Sequence, residues 1–479
     1  MNKLQFILND TIREIDFNNS VYSPTTTVLK YLRSLPGHKG VKEGCAEGDC
    51  GACTVVMAHF DGKKMKYKAV DSCLIFLPML QGRQLITIEN LESDRGQLHP
   101  VQNAMIESDG SQCGYCTPGI VMTLFSAYKN HHSTGTGEIK KTLSGNLCRC
   151  TGYKPIVEAA QNVFSHVGED HFSISENKII RLLKDIKSKR AKEFFNEKQR
   201  YIKPFDLSEA YFYRQLYPEA ILICGNTDIA LKVTKKNELL SEIIDISDLK
   251  ELNFIKKTAK TIFIGSGTTI EDIRMVIKDE LPALYSMLSV FGSLQIRNMA
   301  SIGGNIGSAS PIGDTLPVLM AYKAKIVIKN ATNTRKIPVE KFIISYRKTD
   351  IQPGEIIHSI ETPIPDSNIF TRSYKVSKRR EMDIATLSAC FSLQKNTGNN
   401  TVDKIILAYG GMAATPKRAL LCEEFLKGKN WTQETIDMAI PILRNEFRPL
   451  SDARSGEQFR TIVAGNLLQG FFNETLAES

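Results

Sequence analysis

Eight of the eleven cysteines fall into two tight groups. The first lies in Gly44-Cys45-Ala46-Glu47-Gly48-Asp49-Cys50-Gly51-Ala52-Cys53-Thr54 and is completed by Cys73. Its C-x4-C-x2-C spacing with a more distant fourth thiol suits a [2Fe–2S] cluster, in which four thiolates converge on two irons. The chain must wrap such a cluster closely, and Gly44, Gly48 and Gly51 permit backbone angles that a side chain would oppose. Amide N–H groups in so tight a loop can point at the sulfurs and stabilise their charge, which helps set a reduction potential. A structural zinc site is the alternative, because any four cysteines can make one. Its usual signature, two C-x2-C pairs about 15–20 residues apart, fits this loop poorly.

The second group pairs Cys113 with Cys116 and Cys148 with Cys150, in Cys113-Gly114-Tyr115-Cys116-Thr117-Pro118-Gly119 and Gly145-Asn146-Leu147-Cys148-Arg149-Cys150-Thr151-Gly152-Tyr153. Each pair sits in a loop just before a helical run, and helix N-termini favour an anionic centre. Zinc remains open here too, although C-x-C is tight for a tetrahedral ion and the neighbouring loop favours a second cluster. Cys224, Cys390 and Cys422 lie in apolar surroundings and read as buried thiols. The eight histidines are scattered without an H-E-x-x-H and read as structural or surface groups.

A different chemistry is written in loops of Gly, Ser, Thr and Asn. Ala220 to Cys224 runs into Gly225-Asn226-Thr227-Asp228, and Thr261 to Ile264 runs into Gly265-Ser266-Gly267-Thr268-Thr269. Ser301-Ile302-Gly303-Gly304-Asn305 follows. Such loops offer unobstructed N–H groups and hydroxyls to a pyrophosphate. No G-x-G-x-x-G occurs in them, so the Rossmann fingerprint is missing, and each loop alone could be a turn. Two of them in one region, beside two electron carriers, point to a dinucleotide.

The elements that must position these residues follow from the apolar pattern. Leu4 to Leu8, Thr54 to Ala58 and Gln84 to Ile88 read as strands, with one amphipathic helix over Thr25 to Leu35. Pro100 to Ile106, Gly119 to Tyr128 and Ile156 to Phe164 read as helices. Strands and helices alternate from Tyr201 to about Pro365. Beyond that, Ala385 to Leu393 and Lys404 to Ala408 read as strands, and Thr432 to Phe447 and Phe459 to Phe472 as helices.

At 42% hydrophobic and 24% charged, the 479 residues make an ordinary globular chain of about three domains. No apolar run reaches membrane-spanning length, and the start lacks the apolar stretch of an export signal. A cytoplasmic protein is expected, and its clustered cysteines suit metal ligation better than disulfides. The net charge of +9 is concentrated between Lys178 and Lys203, where ten Lys and Arg stand against three Asp and Glu. A solvated helical linker accounts for such a run better than a nucleic-acid groove, which would spread basic residues over a folded face.

The order of these parts resembles the xanthine dehydrogenase family of molybdenum hydroxylases, and within it the bacterial small subunit that holds the iron–sulfur and FAD parts. The resemblance rests on E-G-C-A-E-G-D-C-G-A-C-T, Q-C-G-Y-C-T-P-G, G-N-L-C-R-C-T-G-Y, G-N-T-D-I and A-S-I-G-G-N-I-G-S-A-S-P-I-G-D. It implies an α+β multidomain fold. A β-grasp plant-type ferredoxin domain would cover 1–88, an all-helical [2Fe–2S] domain 89–168 and a basic linker 169–200. A vanillyl-alcohol-oxidase/PCMH-type FAD domain would cover 201–366, and an α+β C-terminal domain of the CO dehydrogenase flavoprotein type 367–479.

The resemblance also implies roles. Cys45, Cys50, Cys53 and Cys73 would hold the cluster nearer the flavin, and Cys113, Cys116, Cys148 and Cys150 the one nearer molybdenum. FAD contacts map onto Ile221, Leu222, Ile223, Cys224, Gly225, Asn226, Thr227 and Asp228, and onto Phe291, Ser301, Ile302, Gly303, Gly304, Asn305, Asp314, Ile357 and Lys375. Tyr346, Arg379, Arg380 and Glu381 fall at the nicotinamide-side face of the flavin, while Met382 stands where animal relatives carry an acidic residue. The family's molybdopterin domains would lie on a separate large subunit, in a heterotetramer of two small and two large chains. The implied function is relay of electrons from that molybdenum centre through two [2Fe–2S] clusters to FAD and on to NAD+, in oxidation of hypoxanthine and xanthine to urate. No acid–base pair of catalytic side chains is then expected in this chain. The alternatives are the electron-transfer subunit of another molybdenum hydroxylase, acting on an aldehyde, carbon monoxide or an N-heterocycle, and a non-catalytic zinc-stabilised assembly module.

Overall fold

Alternation of side chains along strands lets one sheet feed two cores, and the N-terminal region uses this fully. The computed structural model describes residues 3–93, 95–131, 135–396 and 398–477. Strands β1 (Lys3–Leu8), β2 (Thr11–Asp16), β3 (Thr54–Phe60), β4 (Met65–Asp71) and β5 (Gln84–Ile86) form a mixed sheet in the order β2-β1-β5-β3-β4. β1 and β5 are parallel and the other pairs antiparallel. Leu4, Phe6, Leu8, Val55, Met57 and Leu85 point into one core with helix α1 (Val28–Ser34), while Ile7, Val56, Ala58 and Ile86 point into the other. Helix α1 starts later than its apolar spacing suggests, because the Thr27 hydroxyl accepts from the Lys30 N–H at 3.2 Å and caps it there.

The second core is helical. Helices α2 (Pro100–Glu107), α3 (Thr117–Lys129), α4 (Thr136–Leu143) and α5 (Lys154–Ser165) pack through Val101, Ile120, Leu124, Phe125, Ile139 and Ile156. The sequence passes over α4, whose eight residues are mostly polar and show a short apolar signal.

The segment expected to be a solvated helical linker is instead packed. Helix α6 (His171–Asp185) is helical as read, but it buries Phe172, Ile179 and Leu183 in the helical core. Strand β6 (Lys192–Phe195) then buries Phe194 against the β-grasp core. The basic residues made the run look solvated, yet a narrow apolar stripe threaded through them is enough to dock it. Strands β6, β7 (Arg200–Lys203), β8 (Ile221–Ile223) and β9 (Glu242–Asp245) make a four-stranded sheet ordered β6-β7-β9-β8. Tyr201, Ile223, Ala230, Leu240 and Ile243 join the core that holds α1. The chain to Leu249 thus forms one compact unit, together with the later segment Ser293–Ala300.

Lys250–Gly292 and the chain from Ser301 form a second unit. It contains a five-stranded antiparallel sheet of Ile255–Lys257, Thr261–Gly265, Ile356–Pro363, Lys325–Lys329 and Thr334–Pro338, in that spatial order. A four-stranded antiparallel sheet follows, of Ile369–Val376, Leu387–Lys395, Val402–Gly410 and Lys417–Arg418. Helices Gln433–Glu446 and Glu457–Ala477 pack on it through Ile436, Leu443, Leu468 and Phe471.

Candidate functional site

The first four thiols are brought together by the loop before β3 and the turn after β4. Cys53 and Cys73 Sγ stand 3.4 Å apart. Cys45 and Cys50 are hydrogen-bonded neighbours, and the charge of Cys45 is felt at Cys73. The loop is as tight as its glycines suggest. A Cβ on Gly44 would lie 2.8 Å from Cys50 Sγ, and Gly48 and Gly51 adopt φ of +79° and +67°. The N–H groups of Glu47 and Asp49 donate to Cys45 Sγ at 3.4 and 3.2 Å. The Cys50 thiol and these amides together bring the Cys45 thiol down to about 5 against the effect of burial. Its hydrogen bond to Cys45 pushes Cys50 up. Beside them Asp71 is buried, with Oδ1 3.6 Å from Cys53 Sγ and Oδ2 without a partner. Burial, then the charge on Cys45, raises its carboxyl to about 8.

The second set pairs differently from its sequence order. Cys116 lies against Cys148, and Cys113 against Cys150. Burial, then Cys148, pushes Cys116 up to about 12. The Thr151 hydroxyl lies 3.2 Å from Cys148 Sγ, and the Cys148 N–H donates to the Tyr153 hydroxyl at 2.8 Å. Tyr153 itself sits at φ +67° at the start of α5. Cys113 and Cys150 are exposed, while Cys53 and Cys73 are buried. Among the described residues no three His, Cys, Asp or Glu side chains gather closely enough for a single metal ion. The thiols stand two by two, which suits two irons with two thiolates each better than one tetrahedral ion.

The two thiol loops touch through backbone. A Cβ on Gly119 would meet the Gly51 carbonyl oxygen at 2.1 Å, and one on Gly51 would meet the Gly145 oxygen at 2.1 Å. The Leu147 N–H donates to the Cys50 carbonyl at 3.0 Å.

The residues expected to bind FAD divide between the units. In the first, β8 runs through Ile221, Leu222 and Ile223 into Cys224 and Gly225, whose φ is +86°. A side chain there would strike the Met299 oxygen at 1.9 Å. Asn226, buried at φ +65°, donates Nδ2 to the Leu74 carbonyl at 2.9 Å, one residue beyond Cys73. Its Oδ1 is buried and has no partner. Thr227 and Asp228 continue the turn, and the Asn226 and Asp228 carbonyls accept from Ala230 and Leu231.

In the second unit the two glycine-rich loops are joined. The Gly303 N–H donates to the Ser266 carbonyl at 2.8 Å, the Ile302 N–H to Thr268 at 3.2 Å, and Thr269 bridges Ser301. Ser301 Oγ accepts from the Gly304 N–H at 3.0 Å, and Thr315 donates to Asn305 Oδ1 at 2.6 Å. Ser266 Oγ is buried without a partner. Asp314 pairs with Lys375 at 2.9 Å, and Lys375 also donates to the Val290 carbonyl, next to Phe291. Burial raises the Asp314 carboxyl although Lys375 pulls it down, and its Oδ1 has no partner. Ile357 is buried beside Gly307. Buried polar atoms are normally satisfied, so these orphaned oxygens fit loops built to receive a polar ligand such as FAD. Tyr346 is exposed, Arg379 is held by Asp383, and Arg380 lies 3.8 Å from Glu381.

Reading the sequence alone overlooks four residues here. Asp71 looks like an ordinary strand end, although an acid two residues before a ligand cysteine was a signal. Lys235 donates to the Cys45 carbonyl at 3.1 Å and pairs with Glu47 at 3.4 Å. Asn146 and Gln295 bond to one another at 3.0 Å from 149 residues apart, a relation no local pattern contains.

Comparison with known proteins agrees with this geometry. Residues 195–365 match the FAD binding domain in molybdopterin dehydrogenase, 87–161 a [2Fe-2S] binding domain, and 372–475 the CO dehydrogenase flavoprotein C-terminal domain. The chain is 31% identical to the xanthine dehydrogenase/oxidase of Gallus gallus, over 88% of this chain and 36% of that protein. It is 31% identical to the xanthine dehydrogenase of Oryza sativa subsp. japonica (93% and 38%) and 27% identical to the aldehyde oxidase of Homo sapiens (94% and 38%). It therefore spans under two fifths of the length of these relatives. Among solved structures, a carbon monoxide dehydrogenase from Hydrogenophaga pseudoflava aligns with a TM-score of 0.55 at 24% identity, over 58% of this chain and 96% of that one. Quinoline 2-oxidoreductase from Pseudomonas putida 86 aligns at 0.53 and 20%, over 57% and 94%. These two share the fold.

Fold and thiol sets together define an iron–sulfur flavoprotein, with the expected α+β multidomain architecture. The chain belongs to the molybdenum hydroxylase family, whose FAD-binding and [2Fe-2S]-binding domains it carries.

Proposed function

We propose that this chain is the iron–sulfur and FAD subunit of a xanthine dehydrogenase, working with a separate large molybdopterin-binding subunit in a two-plus-two heterotetramer. Two [2Fe–2S] clusters and FAD supply one-electron and hydride chemistry when bound, linking the partner's molybdenum centre, where hypoxanthine and xanthine become urate, to NAD+. The observation that carries the reading is the adjacency of parts in the first unit. One thiol set meets the other through the Cys50–Leu147 bond, and it meets the β8 loop through Asn226 and Leu74.

The chain's own residues hold, space and shield. The Glu47 and Asp49 amides donate to Cys45 Sγ, which favours thiolate over thiol, and Lys235 ties the loop through the Cys45 carbonyl and Glu47. Burial of Cys53 and Cys73 keeps water from that side, while the exposed Cys113 and Cys150 leave the other set open to a partner's centre. In the second unit Ser266 and Asp314 offer their unpartnered oxygens to FAD, with Lys375 holding Asp314 in place. The sequence ranges given above for the five domains are part of this proposal. A cytoplasmic location is part of the same proposal, because cysteines clustered for metal ligation suit a reducing compartment. No helix among the described residues is long and apolar enough to cross a membrane.

The test is an activity split. The isolated chain is expected to oxidise NADH with an artificial dye and to leave xanthine untouched; xanthine turnover without a second chain would refute the two-subunit reading. The human aldehyde oxidase match keeps a second reading in view, an electron-transfer subunit of another molybdenum hydroxylase. Identifying the co-purifying large chain and its substrate decides between them.

A further inference from the structure

Between Phe291 and Ser301, both expected at the flavin, the chain detours into the iron–sulfur unit. This detour, Ser293–Ala300, touches the loop before β3, the loop leading to Cys148 and the loop after β8. Ile296 packs where a Cβ on Gly48 would come within 3.0 Å, and Met299 closes over Gly225. Asn298 Nδ2 donates to the Ala69 carbonyl in β4 at 2.9 Å.

Gln295 of the detour is buried, at 1% exposure. Its Nε2 lies 3.0 Å from Thr123 Oγ1, 3.0 Å from Asn146 Oδ1 and 3.3 Å from Thr54 Oγ1. Those partners are one residue after Cys53, seven after Cys116 and two before Cys148. Asn146 passes the connection on, with Nδ2 at 3.1 Å from the Gly51 carbonyl. Thr54 donates to that same carbonyl at 2.7 Å. A Cβ on Gly145 would fall 2.1 Å from Gln295 Oε1, so the loop leading to Cys148 lies directly on this amide.

The network surrounds the one hydrogen bond that interrupts an otherwise covalent route between the thiol sets: Cys50 to its own carbonyl, across to the Leu147 N–H, and on to Cys148. Gln295 Nε2 is shared among three acceptors and so ties them into one arrangement, while its Oε1 is buried without a partner. Burying a side chain here only to fill space would have favoured leucine or methionine.

We propose that Gln295, acting through Asn146, is a positioning residue for electron transfer between the two thiol sets. The centre that Cys113, Cys116, Cys148 and Cys150 would hold would give up one electron, and the centre that Cys45, Cys50, Cys53 and Cys73 would hold would accept it. No bond is made or broken and no proton moves. The inference rests on reading both sets as cluster ligands.

The experiment uses the full chain carrying its iron and sulfide, reduced with dithionite and observed by electron paramagnetic resonance, where two nearby reduced centres split one another's signals. Gln295→Met removes the amide at nearly constant volume; Asn298→Ala removes a bond of the same detour away from the second thiol set. Iron and sulfide content equal to the parent chain, with loss of the resolved splitting in Gln295→Met and its retention in Asn298→Ala, is the expected result. If Gln295→Met does not fold, Thr123→Val, which removes one acceptor of the same amide, carries the same expectation. Unchanged splitting, equal loss in Asn298→Ala, or loss of iron from one set overturns the proposal. A parent chain without iron fails before any variant is made, and that result strikes the cluster reading itself.

Discussion

Gly119 illustrates how little freedom single positions have around the thiols. Its missing side chain lets α3 rest on the Gly51 carbonyl, and Gly119→Ala would bring a Cβ to 2.1 Å from that backbone oxygen. We expect a loss of about 1–3 kcal/mol, read as a lower midpoint in thermal unfolding. Gly225→Ala combines a clash with a left-handed φ, and it should release FAD while iron is retained; retained flavin would show that the β8 loop is not part of the cradle. His99 carries a pH effect. Its Nδ1 accepts from the Val101 N–H at 3.2 Å, and Nε2 faces Asp170 at 3.1 Å, which Lys129 also holds at 2.8 Å. Burial lowers the His99 value, with Lys129 and the neighbouring His171 acting the same way and Asp170 opposing them. The unfolded chain therefore takes up a proton near pH 6.5 that the folded one refuses, so this contribution is complete above that pH and is lost as pH falls below it. Thermal midpoints at pH 7 and pH 5 should differ more in the parent than in His99→Asn; equal differences would contradict this. The cysteines and glycines that do this work were legible because chemistry fixes their spacing. Lys235 and Gln295 were not, since each acts on a thiol loop distant in sequence, whereas Asp71 stood two residues from Cys73 and could have been found.

At the scale of elements, period-two and period-3.6 patterns located β1, β3, β5, α2, α3 and α5 to within a few residues. β2 and α4 were missed because charged and polar residues dominate them: in β2 four of six positions are exposed. Helix α6 is the instructive case. Its basic composition argued for solvent, whereas Phe172, Ile179 and Leu183 at helical spacing anchor it. Leu183→Ala should cost about 2–5 kcal/mol in denaturant unfolding if α6 is core. A change within about 0.5 kcal/mol would restore the solvated linker. The joining of Gly265–Thr269 with Ser301–Asn305 through Gly303 and Ile302 was only half readable: composition marked both loops, but nothing local told that they bond to each other.

The whole molecule sets two thiol groups and two groups of polar loops in one chain, and its role follows from that combination more than from any single side chain. The iron–sulfur half was open to reading because ligand geometry constrains sequence tightly. Substrate choice was not, since the residues that would face it lie on another polypeptide in this account. Cys50→Ser should remove one centre and leave the other centre and FAD in place, checked by iron, sulfide and flavin content; loss of both centres, or of neither, would contradict the assignment of the thiol sets. The most direct test of the whole account is quantitative metal analysis of the freshly purified chain combined with paramagnetic resonance after dithionite reduction. It predicts iron with equal acid-labile sulfide and two paramagnetic iron–sulfur signals. A colourless protein holding zinc, or one silent after reduction, would contradict it.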